Sequence, residues 1–382
     1  MPLVRMWDIF CTVVDNYGDI GVSWRLARQL AVEHNLQVRL WVDDLQVFAR
    51  IWPEIDPALS IQFSRGVEIR HWSPAFSAEI PADVVVEAFG CNLPESYLVA
   101  MAAKEPHPVW INLEYLSAED WIAGCHGLAS PHPSLPLVKH FFFPGFGSAT
   151  GGLLAESGLA ETRRAFQHDQ AAVTTFWLSL GLLPPEADET VTTLFSYGSR
   201  PITSLLAAWA SGDTRVFCLV PEGNMRQEVA SFFGQREARA GSIFRKGALT
   251  VFVFPFLEQD HYDRLLWVSD CNFVRGEDSF VRAQWAARPM VWQIYPQECD
   301  AHWPKLQAFL DLYCVGLPRD AAADLRRFWE SWNRGKCAGA TWQQYWRHRN
   351  ILEQHAQQWV DHWLGQNDLA TNLVHFCEKV LK

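Results

Sequence analysis

No two cysteines of this 382-residue chain stand in a C-x-x-C pair, and no stretch is dense in lysine or arginine. No apolar run reaches the roughly 18 residues that a membrane helix requires. The first absence removes sequence support for a structural zinc site. The second, with a net charge of −11, argues against a general nucleic-acid binder, which needs a basic face to meet phosphates. A small basic pocket stays compatible with that charge. Long polar or low-complexity tracts are also missing, so the chain is expected to fold throughout. Neither G-x-G-x-x-G nor a P-loop occurs. Gly145-Phe-Gly147-Ser-Ala-Thr-Gly151 comes near a dinucleotide loop, but its spacing is wrong and it lies far from the first strand. The nine cysteines (Cys11, Cys91, Cys125, Cys218, Cys271, Cys299, Cys314, Cys337 and Cys377) are odd in number, and MPLVRMWDIFCTVV runs straight into a strand pattern with no leader. The expectation is a soluble protein of a reducing, cytoplasmic compartment.

What is present is a large apolar fraction, 49% of residues, in a chain longer than a single core usually serves. Strand-like runs alternate with helical patterns. Met6–Val14 reads as a buried strand, and Gly21–His34 as a helix with Val22, Leu26 and Leu30 at helical spacing. Leu36–Val42, Val67–Trp72, Asp83–Ala88 and Pro108–Leu113 follow as strands. Residues 131–152 are rich in Pro and Gly and read as a loop or domain margin, and Pro184–Glu189 as another break. A second series then starts: Thr190–Phe195, Arg215–Val220, Ala248–Phe254, Cys271–Val274 and Met290–Trp292. A Trp-rich helical section, Pro318–Lys382, closes the chain. Strand–helix–strand units imply parallel sheets covered on both faces. The expected class is therefore α/β, with two Rossmann-like halves and terminal helices. Ligands of such sheets sit beyond the carboxyl ends of strands.

Four constellations fall at such ends. After the first run come Asp15, Asn16, Tyr17, Gly18, Asp19 and Gly21, which place two carboxylates four residues apart on a loop that opens a helix. The glycines permit tight turns and close approach of a substrate. Asp19 alone is equally readable as a helix cap serving N–H groups near Ser23. In VRGEDSFVRAQWA, Arg275, Glu277, Asp278 and Ser279 precede a helix. They suit the dipole and capping, or else a phosphate at the helix N-terminus with Glu277 accepting from sugar hydroxyls. Phe256 is placed to stack on a base and Gln259 to bond one, although core burial explains a phenylalanine as well. Phe195 and Tyr197 follow another strand, where Tyr197 either reaches a phosphate or covers the core. Asp43-Asp44 reads as a solvated turn. Carboxylates on one half, and aromatics, a helix N-terminus and a Glu on the other, match the division of labour of a GT-B glycosyltransferase.

VVDNYGDIGVSWRLARQLA, INLEYLSAEDWI and PFLEQDHYDRLLWVSDCNFVRGEDSFVRAQWAARPMVWQIYPQ closely resemble the EarP family, the protein-arginine rhamnosyltransferases of elongation factor P. The likeness runs along nearly the whole chain. It implies a GT-B fold with two Rossmann-like domains facing across a cleft. The expected division is 1–184 for the acceptor, 185–350 for the nucleotide-sugar, and 351–382 as C-terminal helices returning to the first domain. It also implies the donor dTDP-β-L-rhamnose, inversion, and as acceptor one arginine in the N-terminal domain of elongation factor P, a factor that relieves ribosomes stalled at proline runs. By the same likeness Asp19 is the general base and Asp15 is needed for activity. Phe195, Tyr197, Phe256, Gln259, Arg275, Glu277, Asp278 and Ser279 fall in the donor pocket, with Glu277 also counted as catalytic. Asn16, Tyr17, Gly18 and Gly21 form the acceptor-side loop. Tyr17 stands where some relatives have Phe, and Glu258 is a variable position; neither exchange disturbs the assignment. No metal, no cofactor beyond the donor, no nucleic acid or membrane partner, and a monomer are expected.

The chemistry fits. An arginine is a poor nucleophile because it stays protonated. A carboxylate supplies alignment, charge compensation and a proton acceptor. From the residues alone, a GT-B enzyme with another donor and a glycan or small-molecule acceptor, or a non-catalytic binding protein on the same shell, stays open.

Overall fold

The computed structural model describes residues 5–14, 17–73, 79–197, 202–223, 225–297, 300–336 and 338–381. The strand-like runs form two sheets. The first holds β1 (Met6–Cys11), β2 (Gln37–Val42), β3 (Ile61–Ser64), β4 (Val67–His71), β5 (Val84–Ala88), β6 (Val109–Leu113), β7 (Ala129–Pro131) and β8 (Val138–Phe142). Their order is β3-β4-β2-β1-β5-β6-β8-β7, with β3 and β7 antiparallel at the edges and the rest parallel. The second holds β9 (Glu189–Leu194), β10 (Arg215–Pro221), β11 (Ile243–Lys246), β12 (Leu249–Phe254), β13 (Cys271–Arg275) and β14 (Met290–Gln293). Their order is β11-β12-β10-β9-β13-β14, with only β11 antiparallel.

The central strands are apolar runs because helices cover both of their faces. All five residues of β5 (VVVEA) are buried, as are all five of β6. One polar exception ties the first sheet together. Asp8 on β1 is fully buried and accepts from Arg39 Nε and Nη2 on β2, both at 2.6 Å. It also accepts from Trp41 Nε1, the Ala82 N–H and the Tyr97 hydroxyl, so the carboxylate lost from water is fully compensated.

Both sheets reverse winding beside their first strand. β1 leads to β2 on one side, and β5 lies on the other; β9 leads to β10 on one side, and β13 lies on the other. The carboxyl ends of β1 and β5, and of β9 and β13, are therefore the topological switch points where such sheets bind ligands.

The chain divides into two compact units, Met1–Ser157 with Leu364–Lys382, and Gly158–Trp363. The first boundary falls before the 184 expected from the Pro-rich break. Phe176, Trp177, Leu180 and Leu182 share one core with Val191, Phe217, Leu219 and Phe254 of the second sheet, which draws helices Leu159–His168 and Gln170–Ser179 into the second unit. Of the terminal helices, Arg349–Leu364 stays with the second unit, where Trp359 Nε1 donates to Gln284 Oε1 at 2.9 Å. Helix Leu369–Val380 returns to the first, where Gln29 Nε2 reaches Asp368 Oδ1 at 3.1 Å and Asn372 reaches the Gly151 carbonyl at 3.1 Å. Among the described residues no helix is long and apolar enough to cross a membrane.

Candidate active site

In the first unit, β1 stops at Cys11, three residues before the expected end, and the helix spans Gly18–Glu33, three residues earlier than its periodicity suggested. Asp19 therefore sits in the first turn of the helix, 2% exposed. It does not act as the cap: Tyr17 holds that position and offers no side-chain cap bond. Instead Asp19 Oδ2 accepts from the Val14 N–H at 2.9 Å, upstream in the loop. Its Oδ1 accepts from the Tyr115 hydroxyl at 3.2 Å, beyond the end of β6. Tyr17 also carries the Arg50 guanidinium over its ring at 5.7 Å, and its carbonyl accepts the Gly21 N–H at 2.9 Å. Asp15 and Asn16 lie outside the described residues.

Asp43 and Asp44 are not the solvated turn expected of them. Asp43 Oδ1 accepts from the Val13 N–H at 2.9 Å, and Asp44 caps helix Leu45–Ile51 through the Val47 N–H at 2.9 Å. Successive N–H groups of the loop, on Val13 and Val14, are thus held by carboxylates from two different elements. Burial pushes the Cys11 thiol well above its usual range, and the charges of Asp19 and Asp43 add to this. That thiol is no nucleophile.

Sequence reasoning missed Phe89 and Tyr115. Phe89 closes β5 in a left-handed conformation, φ +56, followed by Gly90 at +64 and Asn92 at +57. A phenylalanine there is strained, and such strain persists only where neighbours enforce it. The Phe89 N–H donates to the Leu113 carbonyl at 2.7 Å, and the Asn92 N–H to buried Glu87 Oε1 at 2.9 Å. The Phe89 ring stacks on Tyr115, with centroids 4.5 Å apart and planes 18° off parallel. Nothing in a lone Phe-Gly or Glu-Tyr after a strand signals this pairing.

In the second unit the expected donor residues gather at the other switch point. The Arg275 guanidinium lies over the rings of Phe195 (4.3 Å) and Tyr197 (4.5 Å), and Arg275 Nη1 points to the Ser196 carbonyl at 3.5 Å. The Tyr197 N–H is held by Gln293 Oε1 at 2.9 Å. Gly276, φ +64, turns the chain into helix Asp278–Trp285, whose N-cap residue Glu277 makes no side-chain cap bond. Gln259 Nε2 donates to Asp278 Oδ2 at 3.1 Å. The Ser279 hydroxyl donates to the Arg275 carbonyl, not outward as the capping or phosphate readings supposed. Phe256 is half-buried between buried Phe254 and the partly buried Leu257 that join the core. A buried pair, Arg282 Nη2 to Asp263 Oδ2 at 2.7 Å, ties helix Gln259–Val268 to helix Asp278–Trp285 and so fixes Gln259 against Asp278. Among the described residues no group of three or more His, Cys, Asp or Glu side chains is arranged to hold a metal.

The first site thus offers a held carboxylate and aromatic rings, suited to a cation. The second offers a guanidinium, aromatic faces and a helix N-terminus, suited to a planar base bearing an anion. Residues 7–378 match the model of a family described as EarP, the elongation factor P (EF-P) rhamnosyltransferase. The protein-arginine rhamnosyltransferase of Pseudomonas putida is 50% identical over 371 residues, 97% of this chain and 98% of that one. A structure solved for the structural basis of EarP-mediated arginine glycosylation of EF-P is 35% identical, with a TM-score of 0.70 over 98% of this chain and 99% of that one. A glycosyltransferase from Rickettsia africae, 9% identical, shares the fold at a TM-score of 0.52 over 100% of this chain and 99% of that one. The two doubly wound sheets with C-terminal helices are a GT-B fold.

Proposed function

Because this chain belongs to the EarP family of elongation factor P rhamnosyltransferases, we propose that it moves L-rhamnose from dTDP-β-L-rhamnose to a guanidine nitrogen of one arginine in the N-terminal domain of EF-P, with inversion and in the cytoplasm. The observation that carries the reading is Asp19, held at the switch point of the first sheet by Val14 and Tyr115.

A guanidine nitrogen attacks the anomeric carbon of the donor. The bond from that carbon to the diphosphate oxygen breaks, dTDP leaves with the electron pair, and the N–H proton passes to Asp19. Attack opposite the leaving group turns the β-linked donor into an α-linked product. Asp19 also supplies the charge that draws the guanidinium in. Asp15, four residues earlier, is assigned to aligning the other guanidine nitrogens. Asn16 and Tyr17 are assigned to the acceptor side, and Gly18 and Gly21, in the first turn of the helix, leave room for the acceptor to approach.

On the donor side, Phe256 stacks the thymine and Gln259 bonds its edge. Glu277 accepts from sugar hydroxyls. Arg275, Tyr197 and the N–H groups opening helix Asp278–Trp285, Ser279 among them, meet the charge growing on the diphosphate. Phe195 backs Arg275, and Asp278 holds Gln259. These donors take the role that a divalent cation plays in other enzymes.

Incubation of the chain with dTDP-rhamnose and folded EF-P, read by intact mass with and without EDTA, tests the reading. One deoxyhexose added to EF-P, lost when the target arginine becomes lysine, is the expected result. An unmodified EF-P overturns it, and activity lost to EDTA but restored by magnesium overturns the metal-free donor site.

A further inference from the structure

We propose that Tyr115, seated on Phe89, is a positioning residue for this reaction: its hydroxyl sets the plane of the Asp19 carboxylate. The inference rests on the reading of Asp19 as general base and adds a residue to it.

The terminal torsion of an aspartate is broad and close to two-fold, so one hydrogen bond anchors an oxygen without fixing the carboxylate plane. Val14 supplies a bond to Oδ2. Tyr115 supplies the second, to Oδ1, from a different strand end. Two donors on two oxygens, carried by the β1 loop and by the residues after β6, hold the plane against turning. A base that takes a proton during bond formation needs that control, because a misplacement of about 1 Å costs roughly a hundredfold in rate.

The hydroxyl is itself placed from below. Tyr115 is 40% exposed, so burial does not hold its ring. The stack on Phe89 does. Phe89 occupies its left-handed conformation because its N–H is bonded to Leu113, one strand over, while Asn92 is bonded to Glu87. Strain in the β5 turn thus presents an aromatic face at the height where Tyr115 meets Asp19. A glycine would adopt that conformation at lower cost but would leave Tyr115 without the ring it stacks on.

Tyr115→Phe keeps the ring and its stack and removes only the hydroxyl. With full-length chain, folded EF-P and dTDP-rhamnose, kcat is expected to fall about ten- to a hundredfold, the range of one lost hydrogen bond to a charged group. KM for both substrates should stay within about twofold, since binding is untouched. Phe89→Gly, which suits the backbone and unseats the tyrosine, should lower kcat in the same direction with the melting temperature retained. Unchanged kcat in Tyr115→Phe, or a loss carried wholly by KM, overturns the positioning role. Asp19→Asn run in parallel separates the two levels. If Asp19→Asn keeps turnover, the base assignment falls and this inference with it. If only Tyr115→Phe keeps turnover, the base stands and the positioning role falls.

Discussion

The two sheets wind the same way and end in opposite chemistry. At the first switch point, the loop after β1 is gathered by carboxylates: Asp19 on the Val14 N–H and Asp43 on the Val13 N–H. At the second, the residues after β9 and β13 gather around a cation, Arg275, laid over Phe195 and Tyr197. The backbone offers both sites the same frame of strand ends and a helix N-terminus. The side chains alone decide that one suits a guanidinium and the other, as proposed above, a nucleoside diphosphate. Topology therefore locates a site, and the residues at its strand ends name the ligand.

The sharpest way to break this comparison is to remove the charge from one side and ask whether the other notices. Asp19→Ala should abolish rhamnose transfer, a loss of roughly a hundred- to ten-thousandfold for a general base. Affinity for dTDP should be nearly unchanged, because Asp19 belongs to the first unit alone. Calorimetry with dTDP and an intact-mass assay on one preparation separate the two effects. Near-normal turnover removes Asp19 from the base role, and a large drop in dTDP affinity removes the division of labour.

The converse substitution acts on the donor side. Phe256→Ala should weaken dTDP binding by about 1–3 kcal/mol, the cost of losing one aromatic that stacks on a base. With saturating donor, acceptor KM should not move. Its half-buried setting beside the core residues Phe254 and Leu257 makes the outcome informative. Unchanged nucleotide affinity with a lowered melting temperature would return Phe256 to the core.

What could be read in advance followed the same physics. The buried parallel strands β1, β2, β5, β6, β10, β12 and β13 announce themselves as continuous apolar runs, because both of their faces are covered. The edge strands β3 and β11 do not. Each is four residues long and antiparallel: β3 (IQFS) alternates but turns Ile61 and Phe63 outward and buries Ser64, and β11 (IFRK) shows neither run nor alternation. β7 and β8 lie in a stretch whose prolines read as loop, although Pro131 ends an edge strand where a missing N–H is harmless. The helix starts three residues before its periodicity, since Gly18 and Asp19 look like turn residues until tertiary contacts recruit them. The split between the compact units before Gly158 is hidden in the sequence because Phe166, Phe176 and Trp177 declare a core without declaring which one. At the candidate site, Asp19 and the 275–279 turn were legible as motifs. Phe89, Tyr115 and the bracing role of Asp43 were not. Each works through a partner remote in sequence, such as Asp43 with Val13, and one chain carries no trace of such pairings.

The smallest expected difference between the units concerns acid. Each holds a histidine whose proton affinity desolvation depresses: half-buried His126 in the first and buried His355 in the second. Such a ring binds fewer protons folded than unfolded. Stability is therefore full above the ordinary histidine value near 6.5 and is lost as pH falls below it. The two rings are not equivalent. His126 Nδ1 accepts the Phe143 N–H at 3.1 Å, so a proton at that nitrogen destroys the bond. His355 Nε2 faces the Tyr313 carbonyl at 2.7 Å and can only donate, so its bond survives protonation. Hydrogen exchange measured between pH 7.5 and 5.5 should show the first unit loosening more than the second, with a fall of a few degrees in melting temperature overall. His126→Phe should flatten the pH dependence in the first unit and leave the second as it was. Equal loosening of both units in the unaltered chain would mean that desolvation of the rings governs the response and the direction of the hydrogen bond does not, and loosening of the first unit that survives His126→Phe would remove His126 from it.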